Sequence, residues 1–324
     1  PTESTPPASS AAEDGKKVLT IAQGGDISTF DMQNHNNGVT GAVLCNVSHS
    51  LVERADEDNS WMCVLATSYE MIDDSTWEFK LRDDVTWHNG DPFTAADVKW
   101  TYERAATDES LAENHIFSVI KEVQIVDDYT VRFVTNGPYP TMLSLLSKNG
   151  SEVMPSKYIE ENGLDYYLEH PIGCGPYKFK EWIKDDVVVL ERYDDYFGGT
   201  PYWDEVRFRA IPEASTRVAE LLTGNVDIIV NVPTNEWERI DEAENTEMVL
   251  GNGTRIYNVI MKWDSTPTQN QKVREAVAYA LDAQTIIDTV LKGAGTPCYT
   301  RIAPGVFGQD ESLYGIDKYD PEKA

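Results

Sequence analysis

The chain has 324 residues, 41% of them hydrophobic and 25% charged, with 55 acidic against 27 basic side chains and a formal net charge of −28. That length is enough for at least two cores, and the composition is that of a soluble globular protein. The acidity speaks against nucleic acid, whose phosphates need clustered Lys and Arg, and against electrostatic adhesion to anionic lipid. No run approaches the roughly 18 consecutive apolar residues of a membrane span.

The first 17 residues, PTESTPPASSAAEDGKK, are rich in Pro, Ser, Thr and Ala and show no hydrophobic period. They cannot bury enough apolar surface to offset ordering entropy, so this segment is expected to be a disordered stalk. Val18 to Ala22 is a short β-branched run and predicts the first strand, broken by Gly24-Gly25. From Ala42 to Val52 the pattern turns helical, with Val43, Val47 and Leu51 on one side.

Thr76 to Arg82 alternates, with Trp77, Phe79 and Leu81 pointing one way and Glu78, Lys80 and Arg82 the other, as in a half-buried strand. His88-Asn-Gly-Asp-Pro92 is turn chemistry. Thr94 is an N-cap with Asp97 in capping-box position, and the helix it opens is expected to bury Val98, Thr101, Tyr102 and Ala105. Tyr129 to Thr135 alternates again, Gly137-Pro-Tyr-Pro140 ends it, and Thr141 to Leu146 starts a helix. The Gly173-Cys-Gly-Pro176 turn leads into an extended run and an aromatic corner, Tyr196 to Trp203. Next come a strand at Val206 to Ile211, a helix around Ser215 to Leu222 and a strand at Asp227 to Val230. Arg255 to Trp263 predicts a further strand. Val273 to Leu291 predicts one long helix with an apolar stripe, stopped at Gly293. Strands and helices in irregular order indicate a mixed sheet and an α/β (mixed α+β) class.

The residues offer little to an enzyme. The acidic doublets Asp73-Asp74, Asp83-Asp84, Asp127-Asp128, Asp185-Asp186 and Asp194-Asp195 fall at strand ends or turns, where neighbouring carboxylates do not converge on one substrate atom. The five histidines (His35, His49, His88, His115 and His170) have no metal-ligand spacing. There is no nucleophile elbow and no Walker loop. Cys45, Cys63, Cys174 and Cys298 form no zinc motif; they permit three disulfide pairings, and buried free thiols are the equal alternative. No cofactor is called for.

Three segments together resemble one family. They are Trp77-Glu-Phe-Lys-Leu-Arg-Asp-Asp-Val-Thr-Trp-His-Asn-Gly-Asp-Pro-Phe-Thr-Ala-Ala-Asp-Val-Lys99, the stretch from Pro171 to Asp227, and Lys272-Val-Arg-Glu-Ala-Val-Ala-Tyr-Ala-Leu-Asp282. In this order they are similar to the peptide/nickel-type extracellular solute-binding proteins (family 5, oligopeptide/dipeptide-binding), the capture subunits of ABC importers. The resemblance covers roughly residues 18 to 324 and implies a periplasmic-binding-protein-like two-lobe fold of type II, cluster C-like. Lobe I would be discontinuous (18–50 and 170–252), with an inserted subdomain at 51–169, and 253–324 would be the first part of lobe II. Family members normally continue beyond the point where Ala324 stands, so lobe II is expected to be incomplete here.

The same resemblance implies a peptide or small-solute ligand, an ABC permease as partner, a monomer, no metal and no catalysis. It also implies a place outside the cell membrane or in the periplasm, with an N-terminal lipid anchor as the sole membrane attachment. Family positions carried over give six ligand-contact candidates: Val39 and Thr40 after the first strand, Cys174 in the Gly-Cys-Gly-Pro turn, Asn231 after the strand at 227–230, and Arg255 and Tyr257. Arg255 would pair a ligand carboxylate and Tyr257 would stack on it. The rival readings are a shortened paralogue acting as sensor or interaction protein, and a binder of nickel- or haem-type chelates.

Overall fold

A computed structural model describes residues 15–55, 60–251, 253–306, 308–316 and 318–324. Residues 1–14 of the expected stalk lie outside them; at its end Lys17 is tied down, its N–H donating to Asp204 Oδ2 at 2.8 Å. The chain divides into two compact units, Pro1–Asn231 and Val232–Ala324. Residues 232–252, placed in lobe I by the resemblance, thus belong to the same unit as the residues that follow them.

The first unit opens with β1 (Val18–Gln23), a loop and α1 (Gly38–Leu44). The helix expected from Ala42 to Val52 begins earlier, because Asn37 caps it by accepting the Thr40 N–H at 2.8 Å, and it stops sooner, at Leu44. A short hairpin follows, β2 (Val52–Arg54) and β3 (Trp61–Cys63). Then come β4 (Ala66–Asp73), β5 (Thr76–Leu81), α2 (Ala95–Thr107), α3 (Asn114–Phe117), β6 (Ile120–Asp127) and β7 (Thr130–Thr135). The four long strands form an antiparallel sheet in the order β4-β5-β7-β6. The alternation of β5 has its expected consequence: Trp77, Phe79 and Leu81 are buried, and Trp77 and Phe79 pair in register with the buried Phe133 and Val131 of β7. Phe79, Phe133 and Tyr102 meet edge to face in the core beneath, and α2 covers it with Val98, Thr101, Tyr102 and Ala105.

The cap of α2 is as its sequence predicts. The Thr94 N–H donates to Asp97 Oδ2 at 2.9 Å, while Asp97 Oδ1 accepts from the Ser156 N–H and hydroxyl at 2.9 and 2.6 Å. Burial nevertheless holds the Asp97 carboxyl above its ordinary range.

Helices α4 (Met142–Leu145), α5 (Ser156–Asn162) and α6 (Leu164–Glu169) lead back to the first sheet. It is completed by β8 (Tyr177–Ile183), β9 (Val187–Arg192), β10 (Glu205–Ala210), α7 (Ala214–Leu222) and β11 (Ile228–Ile229), in the order β11-β1-β10-β9-β8. β1 runs parallel to both β10 and β11, whereas β9 and β8 are antiparallel, so the sheet is mixed. Its core holds Phe30, Met32, Val43, Leu44, Val47, Leu190, Val206 and Phe208. The two sheets are joined by a buried ion pair: Arg104 on α2 grips Asp31 with both nitrogens, at 2.9 and 2.6 Å, and also reaches Gln33. Removing one partner of such a pair typically costs about 3–5 kcal/mol.

The second unit is built from short helices, α8 (Trp237–Asp241), α9 (Gln271–Ala280) and α10 (Ala283–Thr289). Two expectations fail in it. Arg255 to Trp263 is irregular: among the described residues no strand lies beside it to take up its backbone groups. The long helix at 273–291 is two helices, because Asp282 turns its side chain back to accept the Thr285 N–H at 2.9 Å and starts a new one. Gly293 follows as expected, in a left-handed conformation.

Candidate functional site

Parallel strands end together, and ligands of open mixed sheets sit outside their carboxyl ends. Here those ends belong to β1, β10 and β11. The Ile211 N–H donates to the Gln23 carbonyl at 2.9 Å, and the Val230 N–H to that of Ala22 at 3.3 Å, which fixes the three ends side by side. Gly24 and Gly25 follow β1 and leave the backbone there without side chains. Asn231 follows β11 with φ of 56°, a left-handed conformation uncommon for a residue other than glycine. It is exposed.

The loop leaving β1 is held from within. Thr40 is fully buried, and its hydroxyl oxygen accepts the Ser28 N–H at 3.0 Å. Val39 beside it is half-buried. Of this pair, therefore, Val39 and the backbone of Gly38 face outward, and the Thr40 side chain serves the loop.

Cys174 is likewise fully buried, in the core of the second sheet, with its Sγ 3.7 Å from the Ser48 hydroxyl. Burial pushes its thiol up to about 11. A thiol in that place packs rather than presents itself to a ligand. The flanking glycines explain the motif: a Cβ on Gly173 would fall 1.9 Å from the Val47 carbonyl oxygen, and one on Gly175 2.6 Å from that of Asn46. Close backbone approach, not ligand chemistry, demands Gly-Cys-Gly.

The turn is fastened by His88. Its Nδ1 accepts the Gly173 N–H at 3.0 Å, its Nε2–H donates to the Gly175 carbonyl at 3.0 Å, and its own backbone N–H donates to the Gly173 carbonyl at 2.8 Å. This arrangement needs the neutral ring, and burial lowers its pKa to about 4. Nearby, His49 links Glu53 and the Tyr196 hydroxyl at 2.9 and 2.8 Å, which gives the aromatic corner its anchor. All four cysteines are free thiols. Among the described residues no group of three or more His, Cys, Asp or Glu side chains is placed to hold a metal ion.

Arg255 and Tyr257 lie in the second unit, both exposed, Tyr257 at 85%. The six candidates thus separate into an outward pair in the first unit (Val39 and Asn231), two buried side chains (Thr40 and Cys174) and two residues of the irregular 254–262 segment. One residue that bears on the site escaped sequence reasoning. Arg217, on α7, is 4% exposed and donates to the carbonyls of Ile211, Pro212 and Asn231, at the ends of β10 and β11. No signal marked it, because Glu213 and Glu220 at helical spacing suggest ordinary surface pairs.

A mixed sheet of this order with a second sheet inserted after its first strand is the fold of the periplasmic binding proteins. Helicobacter pylori DppA, solved with the peptide STSA, matches with a TM-score of 0.80 at 25% identity, over 95% of this chain and 65% of that one. AgaA of A. tumefacien R10, solved with agropinic acid, matches with 0.79 at 26% identity, over 94% and 62%. The family model for bacterial extracellular solute-binding proteins, family 5, matches residues 62–324, and the chain belongs to that family. The glutathione-binding protein GsiB of Salmonella paratyphi A is 28% identical over 311 residues, 95% of this chain and 60% of that protein. The chain thus spans about 60% of the length of such relatives.

Proposed function

We propose that this chain is the capture component of an ABC importer, binding a peptide or similar small solute outside the membrane and passing it to the permease. The observation that carries the reading is the family match across residues 62–324. The rim at the carboxyl ends of β1, β10 and β11 supports it, because exposed backbone at Gly24 and Gly38 suits a ligand that is itself a backbone. Asn231 and Val39 contribute from this rim. Thr40 and Cys174 act by holding their loops. The reaction class is binding without chemistry, so no turnover accompanies it. The protein works as a monomer on the outer face of the cell membrane or in the periplasm, attached through a lipid anchor. No helix among the described residues is long and apolar enough to cross a membrane.

The test is a thermal-shift screen of the full chain against glutathione, the tetrapeptide Ser-Thr-Ser-Ala, a pool of di- to pentapeptides, and agropinic acid. A saturable rise in Tm with a peptide is expected. Linkage sets its size at about 2.7 kcal/mol when the ligand stands at a hundred times Kd. No rise with any peptide, alongside a rise with agropinic acid, would replace the peptide reading with one for a different small acid.

A further inference from the structure

A buried cation is costly unless a carboxylate or several hydrogen-bond acceptors meet it. In a chain with 55 acidic residues, Arg217 forms no ion pair among the described residues. Its Nη1 donates to the carbonyls of Ile211 at 2.7 Å and Pro212 at 3.0 Å, its Nη2 reaches the Asn231 carbonyl at 3.4 Å, and its buried Nε has no acceptor among the described residues. One planar group therefore spans the residues that follow β10 and the left-handed residue that ends β11. A guanidinium can do this because its donors form a rigid fork, whereas an ammonium offers three donors at one point.

We infer that Arg217 is a positioning residue of the binding rim: it holds Asn231 at the corner from which that residue meets the ligand, without touching the ligand itself. The inference rests on the rim being the binding surface, as proposed above. Asn231 has φ of 56° at a strand end only two residues long, so little besides this hydrogen bond fixes its carbonyl. Loss of a hydrogen bond to a charged group is worth about tenfold in an equilibrium.

Arg217→Lys in the full chain tests it through two readouts. Amide hydrogen exchange at residues 229–231 is expected to quicken about tenfold, with β5 and β7 unchanged and Tm lowered by less than about 4 °C. The Kd for glutathione or Ser-Thr-Ser-Ala, whichever the wild type binds, is expected to rise about tenfold. Adding Asn231→Gly to Arg217→Lys is expected to raise Kd little further, because the displaced Asn231 has already lost the ligand, whereas general destabilisation would leave the two effects additive. Unchanged exchange at 229–231, or wild-type affinity in Arg217→Lys, overturns the inference. A wild type that binds neither probe sinks the peptide reading instead, and the exchange data then decide alone whether Arg217 holds the corner.

Discussion

The two units treat their apolar residues in opposite ways. In the first, Phe79, Phe133, Tyr102, Phe30 and Leu44 are wholly buried in two clusters, each under its own sheet. In the second, Tyr257, Val259, Ile260 and Trp263 stand in solvent in one irregular segment, Ile260 at 78% and Trp263 at 75% exposure. Val277, Leu281 and Val290, which share the stripe of the predicted long helix, are exposed as well. Sequence pattern is the same kind of signal in both units. It becomes a buried face only where a second element lies against it, as α2 does in the first unit; where β4 and β6 lack such a cover, Met71, Ile72, Ile125 and Val126 stay 46–48% exposed. Burial is thus a property of pairs of segments, whereas periodicity is a property of one.

Substitution should sharpen this contrast. Phe133→Ala in the first unit is expected to cost about 3–5 kcal/mol, read from the urea midpoint, because it empties a ring-lined space between Phe79 and Tyr102. Gly173→Ala should cost about 3 kcal/mol, since the new methyl collides with the Val47 carbonyl oxygen rather than with a movable side chain.

The pH dependence comes from two groups of the first unit with opposite signs. His88 binds a proton near pH 4 when folded and near 6.5 when unfolded, so the unfolded chain holds more protons between these values. Its neutral-ring contribution is complete above pH 6.5 and is lost as pH falls towards 4. Glu152 is pushed up to about 7 by burial, with the Glu53 charge adding, against 4.5 unfolded. Its neutral carboxyl favours the fold below pH 4.5, and that contribution is lost as pH rises through 7. Each is worth about 3 kcal/mol at most. The wild type should therefore vary little between pH 4.5 and 6.5 from these two groups. His88→Gln should flatten the acid loss, and Glu152→Gln should gain on the wild type as pH rises from 5 to 8. A Glu152→Gln variant that loses ground over that range would contradict the assignment.

At the small end, Trp263→Ala should change stability by no more than about 0.5 kcal/mol, as surface substitutions do. A loss as large as that of Phe133→Ala would mean that Trp263 is covered, and the contrast between the units would collapse.

Legibility followed the same division. The alternation of Trp77, Phe79 and Leu81, the Thr94–Asp97 cap and the buried stripe from Val98 to Ala105 were all plain in the sequence, because local rule and tertiary packing agree there. The family, and with it the mixed fold, was legible from the ordered segments at 77–99, 171–227 and 272–282. Arg255 to Trp263 reads as a strand because its composition suits one, but composition cannot supply a neighbouring strand. The break at Asp282 did carry a signal, an N-cap residue inside an apolar stripe, which the periodicity overrode. In the site, Val39 and Asn231 are placed outward, whereas Thr40 and Cys174 turn inward: spacing along the chain cannot tell which member of a loop bonds to its own backbone. Arg217 was invisible, since its partners are carbonyl groups contributed by residues that only the folded sheet brings to one end.

The most direct measurement is amide hydrogen exchange on the full chain with and without a saturating peptide from the thermal-shift screen. Slower exchange at residues 24–41 and 229–231, with the β4-β5-β7-β6 sheet unaffected, is the predicted result. Protection confined to that second sheet, with the strand-end rim unchanged, would contradict the account.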